Sequence, residues 1–533
     1  MSVIPLTGSD PIPFHFQALV ALINTFCRGL ALALLWFVCS AQVALGQLTV
    51  DPMFGSHMVL QQDLAVPVWG QATSGAKVTV SFAGQNKSAT AADDGSWSVK
   101  LDPIKSDGSV SSEMSVTSGD SVTTFEDVLV GEVWLGSGQS NMAGDAGGYA
   151  KNDAVLQSII DGGPYPKLRL YTRGGWQIAT PETMKGFSAI HLSFGKALHD
   201  ELKLPTGLMV GAVGGTPSGR WLNEEMIVAD KQMMAQIKVA SGTDSLKSLT
   251  KVNEEAQAAW KLTAEKAKAA GKIPPRFRKP FQMADLYERH IQPKVPYGIR
   301  GVLWDQGESK TGLSGVDQVA TMGALINGWR KVWGQGDFHF LHVQKPSGGG
   351  CAWDVNNPVN RGALAFSKTL PNQWSRPETL AYPLSHLEIG TIKNAPLVTA
   401  VDLQPGIHPA NKSGYGKRAC RVALGTVYER DVVTCGPTYR SHKTEGGKIR
   451  VMFDNVASGL AFRHADTLRG FAISGADGKW AWADATIDGD TVLVNSPDVS
   501  EPVNVQYALS KNSNFANLFN KDGLPALMFT SQN

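Results

Sequence analysis

The first feature of this chain that could do chemistry is a serine hydroxyl on a glycine-rich turn. In "GEVWLGSGQSNMAG", Gly131 to Gly144, an apolar strand-like run stops in glycines, a glutamine, a serine and an asparagine, which leaves Ser140 at the strand's end. Such a turn lets the backbone approach a substrate closely, and the free N–H groups that follow can face a developing oxyanion. The same pattern also suits a serine that only caps a helix. A hydroxyl nucleophile needs a base, and "QPGIHPANKSGYGKRACRVAL" offers His408 in a loop ahead of a helical run that reaches Leu424, with proline stiffening its far side. Two further strand ends supply glycines and an amide: "VGAVGGTPSGRW", with Gly214 and Gly215, and "GVLWDQGES", with Gln306, Gly307 and Glu308. A buried glutamine can donate to an oxyanion without adding charge. Serine, histidine and uncharged donors at successive strand ends are the parts of an acyl-transfer site.

The elements that must position these residues follow from the pattern. Residues 47–124 are short runs alternating in polarity ("LAVPVWG", "AKVTVSFAG", "GSWSVKL") between Gly, Asp-Gly and Pro turns, which predicts a small antiparallel β domain. From 125 to 430, strand-like runs alternate with helical ones, the βαβ rhythm of a parallel sheet covered on both faces, with ligands expected beyond the strands' carboxyl ends. Within it, about 224–271 is an Ala/Lys/Glu-rich tract, read as a surface helical excursion. Alternation returns over 431–533, predicting a second β domain, a small sandwich. Its aromatics, Phe462, Phe471, Trp480, Trp482 and Tyr507, are read as core in preference to sugar platforms.

Composition narrows the classes. Of 533 residues, 49 are Lys or Arg and 47 Asp or Glu, so the net charge is +2 and no basic cluster suits nucleic acid. Residues 1–46 read as an export segment: Arg28, an apolar stretch from Leu30 to Val38, then small residues, with cleavage expected before Gln47, giving a periplasmic or extracellular protein without stable membrane association. An uncleaved anchor is the competing reading. Beyond that segment remain Cys351, Cys420 and Cys435. Cys420 and Cys435 could close a loop, or all three could be buried thiols; no pair has zinc or redox spacing.

The stretches "GEVWLGSGQSNM", "MVLQQDLAVPVWGQATSGAKVTVSF", "GVLWDQGES", "IHPANKSGYGKR" and "GLPALMF" together resemble the sialate O-acetylesterase branch of the SGNH-hydrolase superfamily of carbohydrate esterases. The resemblance implies an α/β, SGNH-type (flavodoxin-like) sheet and a serine esterase that removes O-acetyl groups without metal or organic cofactor. It places the nucleophile on Ser140 and the base on His408. Oxyanion donors fall on the Ser140 N–H, Gly214 or Gly215, and Gln306, while Asn141 and Glu308 fix the turn and cleft. Each donor would lower the barrier by about 2.7–4 kcal/mol. Two departures stand out. Relatives commonly have an aspartate two or three residues before the histidine, where this chain has Gly406 and Pro405, so Asp402 could curl back to the imidazole, or a backbone carbonyl could orient it. Asp305 stands where relatives commonly have tyrosine and would put a carboxylate near the cleft, tilting preference toward a neutral ligand. For a sialate carboxylate, Arg220, Lys310 and Arg361 are candidates; for neutral polysaccharide such as acetylated xylan, Trp221, Trp304 and Trp353. A non-catalytic carbohydrate-binding protein and a serine peptidase are the rival classes.

Overall fold

The computed structural model describes residues 47–532 apart from 109–110, 244–245, 277–282, 346 and 373–376; residues 1–46, read above as an export segment and containing Cys27 and Cys39, lie outside the described residues. Period-two alternation builds the first strands: β1 (Thr49–Val50), β2 (Val59–Gln61), β3 (Val66–Gln71), β4 (Lys77–Phe82), β5 (Gln85–Thr90), β6 (Ser96–Leu101) and β7 (Ser112–Ser118). In β4 and β6 every second residue is buried, as one wetted face requires.

The strand that follows joins this region to the rest. β8 (Ser121–Gly138) begins antiparallel to β7, runs parallel to β2 at Leu129–Gly131, and then enters the centre of a parallel sheet. Its first part alternates, and from Gly131 to Gly138 it is buried throughout. The expected boundary near residue 124 is therefore a position inside one strand, with no linker. The central sheet runs β10-β9-β11-β8-β12-β13-β14, adding β9 (Tyr165–Thr172), β10 (Gly175–Ala179), β11 (Thr206–Ala212), β12 (Gly301–Asp305), β13 (His339–Val343) and β14 (Leu397–Val398). All its pairs are parallel except the β9–β10 hairpin at one edge.

Alternate residues of the buried strands serve two cores. Trp134, Leu208, Leu303 and Leu341 pack beneath the helices Ala189–Leu202 and Lys412–Thr426. Val133, Leu135, Val302 and Phe340 face the opposite way, toward the helix Gln318–Trp333 and the first β region, whose Val59, Val68 and Val80 belong to the same cluster. The helical excursion is present as Glu224–Ala229, Lys231–Ser241 and Lys247–Ala269. After residue 437, two four-stranded antiparallel sheets close on a core that includes Ile449, Val492, Phe471 and Tyr507. Of the C-terminal aromatics, Phe471 and Tyr507 are core, and Trp482 packs on Phe515; Phe462 and Trp480 are half-buried.

Candidate active site

β8, β11 and β12 are neighbours with parallel direction, so their carboxyl ends meet. Gly138, the last residue of β8, has φ +125° and lies so near β12 that a Cβ there would sit 2.2 Å from the Asp305 carbonyl oxygen. Glycine is required for both reasons. The Gln139 N–H donates to the Asp305 carbonyl (2.9 Å) and the Val213 N–H to the Gly138 carbonyl (3.1 Å), which ties the three strand ends together. Ser140 then opens a four-residue turn of helix, Ser140–Ala143. Gly214 is exposed beside it: a Cβ there would lie 3.5 Å from the Ser140 Cβ. Gly215 takes φ +70° and also faces solvent.

His408 arrives from the loop between β14 and the helix Lys412–Thr426, and its Nε2 lies 2.8 Å from Ser140 Oγ. Hydroxyl and imidazole, 268 residues apart, are in hydrogen-bonding reach. This is the geometry in which a histidine can take the serine proton.

Asp402 does not join them. It is fully buried, and its two oxygens accept from Arg418 at 2.8 Å each, while Arg418 also donates to the Thr399 carbonyl (3.1 Å). A bidentate buried partner leaves that carboxylate committed to joining helix and loop, so its expected role as orienter is corrected. Gly406, at one of the positions where an aspartate was sought, has φ +117°, a conformation that aspartate rarely adopts.

Gln306 is likewise displaced from its expected role. Its amide is buried and donates to the carbonyls of Thr216 (3.2 Å) and Lys310 (3.0 Å), so both hydrogens are spent locking the loop after β12. Asn141 and Glu308 sit where support was expected. The Asn141 amide donates to Ile407 O (3.0 Å) and Glu308 Oε1 (3.2 Å); its Oδ1 accepts from Lys412 Nζ (2.5 Å). Glu308 also accepts from Gln139, whose own oxygen accepts from Ser309 (2.6 Å).

Two lysines that sequence reasoning passed over complete this network. Lys345, just past β13, is buried between Asp305 (2.6 Å) and Glu308 (3.1 Å). Asp305 is therefore beneath the site and neutralised, not a cleft carboxylate, which removes its tilt toward neutral ligands. Burial pushes the Asp305 carboxyl up, against the pull of Lys345. At Glu308 burial is again the largest influence and pushes upward, but the Lys345 charge together with hydrogen bonds from the backbone, Lys345 and Gln139 outweighs it and holds the carboxyl below its usual range. Burial brings Lys412 down to about 7. The available signal was position: each lysine lies at the carboxyl edge of the sheet, where β12 and β8 contribute acids and amides.

Most of the proposed sugar contacts are placed elsewhere. Trp221 and Trp304 are core residues packed edge to face, and Arg220 is paired with Asp285. Trp353 is half-buried under Arg463, and Arg361 lies 3.4 Å from Asp153; Lys310 is exposed.

Residues 130–266, which include Ser140 and Gly214, match the family model "Carbohydrate esterase, sialic acid-specific acetylesterase". Over 91% of this chain and 99% of the other, the structure superposes on that of a carbohydrate acetylesterase from Xanthomonas citri at 26% identity, with a TM-score of 0.69. The chain is thus similar to the sialate O-acetylesterase branch of the carbohydrate esterases, in sequence over part of its length and in fold over nearly all of it. Curated proteins to which it is similar include the sialate O-acetylesterases of Homo sapiens, 29% identical over 53% of this chain and 52% of theirs, and of Rattus norvegicus, 26% identical over 53% and 56%. The chain thus spans about half the length of the curated relatives it matches. Cys351, Cys420 and Cys435 are free thiols, so the open question of a Cys420–Cys435 bridge resolves to unpaired cysteines.

Proposed function

We propose that the protein is a serine esterase that removes O-acetyl groups from acetylated carbohydrates through an acyl-serine intermediate, in an SGNH-type arrangement. The observation that carries this reading is the 2.8 Å contact between Ser140 Oγ and His408 Nε2 at the carboxyl edge of a parallel sheet. His408 takes the hydroxyl proton as Ser140 attacks the acetyl carbonyl. The tetrahedral intermediate collapses, the protonated imidazole gives its proton to the departing sugar oxygen, and an acetyl-serine remains. Water, deprotonated by the same imidazole, then releases acetate and restores the hydroxyl.

With Gln306 spent on carbonyls, the donors that support the oxyanion are backbone: the N–H of Ser140 and that of Gly214, neither of which reaches a protein acceptor among the described residues. The site is shallow and open, with Gly214, Gly215, Gly406 and His408 exposed, as a substituent on a bulky sugar requires. Neutralisation of Asp305 by Lys345 removes the repulsion that would count against a sialate, so the substrate named by the family model is tried first.

Acetate release from 9-O-acetyl sialosides, acetylated xylan and p-nitrophenyl acetate tests this. We expect Ser140→Ala and His408→Ala each to reduce turnover at least about a thousandfold. Equal rates in wild type and Ser140→Ala would leave a carbohydrate-binding protein; cleavage of casein would point to a peptidase.

A further inference from the structure

An exposed imidazole needs something to hold it, and in this chain no carboxylate does so among the described residues. Asp402 is engaged by Arg418, positions 405 and 406 are proline and glycine, and Gly406, Ile407 and His408 are all exposed, Ile407 at 66%. A side chain free to rotate spends most of its time out of line with its partner, and a displacement near 1 Å can cost about a hundredfold in rate.

The attachment nearest to His408 comes from the residue beside the nucleophile. Asn141 Nδ2 donates to the Ile407 carbonyl at 3.0 Å. That oxygen and the His408 N–H belong to one planar peptide unit, so gripping the first fixes the orientation of the second. An amide can grip in this way only if its nitrogen faces the carbonyl. Its neighbours decide that: the Ile407 carbonyl and the Glu308 carboxylate can only accept, so both Nδ2 hydrogens point to them, and Oδ1 is left facing Lys412 Nζ at 2.5 Å, which donates to it. Lys412 is itself held over the Tyr149 ring, 4.3 Å from the centroid, with Asp305, Glu308, Lys345 and Asp153 as the surrounding charges. Since both Asn141 hydrogens are engaged, the amide is not an oxyanion donor.

We propose that Asn141, braced by Lys412, is a positioning residue that holds the His408 loop against Ser140 in place of a triad carboxylate. The proposal rests on the assignment of Ser140 and His408 as nucleophile and base.

Steady-state hydrolysis of p-nitrophenyl acetate by the full chain, with and without added imidazole, tests it. For Asn141→Ala we expect kcat to fall about 10- to 100-fold with KM within threefold, and imidazole in solution to restore part of the rate, as it should for His408→Gly. Lost oxyanion stabilisation would not respond to imidazole. Asn141→Asp, nearly isosteric, keeps the Lys412 contact but loses both donors; it should behave like the alanine variant and carries the test if that variant does not fold. Lys412→Met should lower kcat with the same imidazole response. A folded Asn141→Ala or Asn141→Asp enzyme with kcat within threefold of wild type, or a loss that imidazole does not relieve, overturns the clamp. Ser140→Ala turning over at the wild-type rate would instead overturn the nucleophile assignment, a separate result.

Discussion

Asp402 and Arg418 show how a residue next to the His408 loop can be committed to the fold. The pair is buried, bidentate and linked onward to Thr399 and Asn360. Removing one partner leaves an uncompensated buried charge, which costs about 3–5 kcal/mol. Asp402→Ala should therefore lower the melting temperature markedly while the protein that remains folded keeps its kcat; a His408-like loss of kcat in well-folded protein would restore Asp402 to the triad. The thiols behave as core residues too. Burial pushes Cys351 and Cys420 up to about 12, so neither should react with a thiol-specific disulfide reagent at pH 8 until denaturant is added, and rapid labelling of native protein would contradict their burial. Lys412 leaves a signature in stability. Its pKa in the fold is about 7 against 10.5 in the unfolded chain, so between these values the unfolded state binds more protons and stability should rise with pH. In Lys412→Met that part of the rise should vanish, as measured by denaturant unfolding at pH 6.5 and pH 9.

At the scale of elements, the site depends on how closely β8 and β12 end. Gly138→Ala would force a methyl against the Asp305 carbonyl and carry a left-handed φ, a strain of about 1–3 kcal/mol before the steric clash is counted. The strand ends should separate and carry Ser140 away from His408, so esterase activity should fall at least about a hundredfold. A variant with near-native activity would mean that the turn is set elsewhere. Ser140 and His408 could be singled out in the sequence only jointly, through the resemblance, because a strand-end serine also suits a helix cap and a loop histidine also suits the surface; the structure brings the two to 2.8 Å. The competition for Asp402 was not legible, because nothing in its spacing from His408 reports an arginine 16 positions further on. Trp304 misled for a related reason: tryptophan beside a motif reads as platform or core, and only the packing against Trp221 and Trp329 decides. The continuity of β8 was hidden by its own burial. One half has a wetted face and the other has none, so a single strand carries two sequence patterns that look like two domains.

Across the whole molecule, the C-terminal sheets brace a loop that makes no hydrogen bond to Ser140 among the described residues. Residues 347–367 lie against them: the Ser367 N–H donates to the Asn514 carbonyl (2.9 Å), Asn514 Nδ2 donates to the Ala365 carbonyl (2.6 Å), and the His464 imidazole meets the Ala352 carbonyl at 2.7 Å. On its other side the same loop grips the histidine segment. Gly350 N–H donates to the Val401 carbonyl (2.7 Å), and Asn411 Nδ2 reaches the carbonyls of Val359 (2.8 Å) and Arg361 (2.9 Å). Asn411, three residues after His408, caps the helix that begins at Lys412. Contacts thus run from the C-terminal sheets through 347–367 to the segment that carries His408. Each hydrogen bond in such a chain is worth about 1 kcal/mol, enough to change how often the segment opens without unfolding the protein. In Asn514→Ala combined with His464→Ala, hydrogen exchange across 404–411 should speed up several-fold and kcat should drop in step, while exchange in β8 and β12 stays slow. Unchanged exchange at 404–411 would mean that the loop is held from the central sheet alone and that the C-terminal sheets serve some purpose apart from the chemistry.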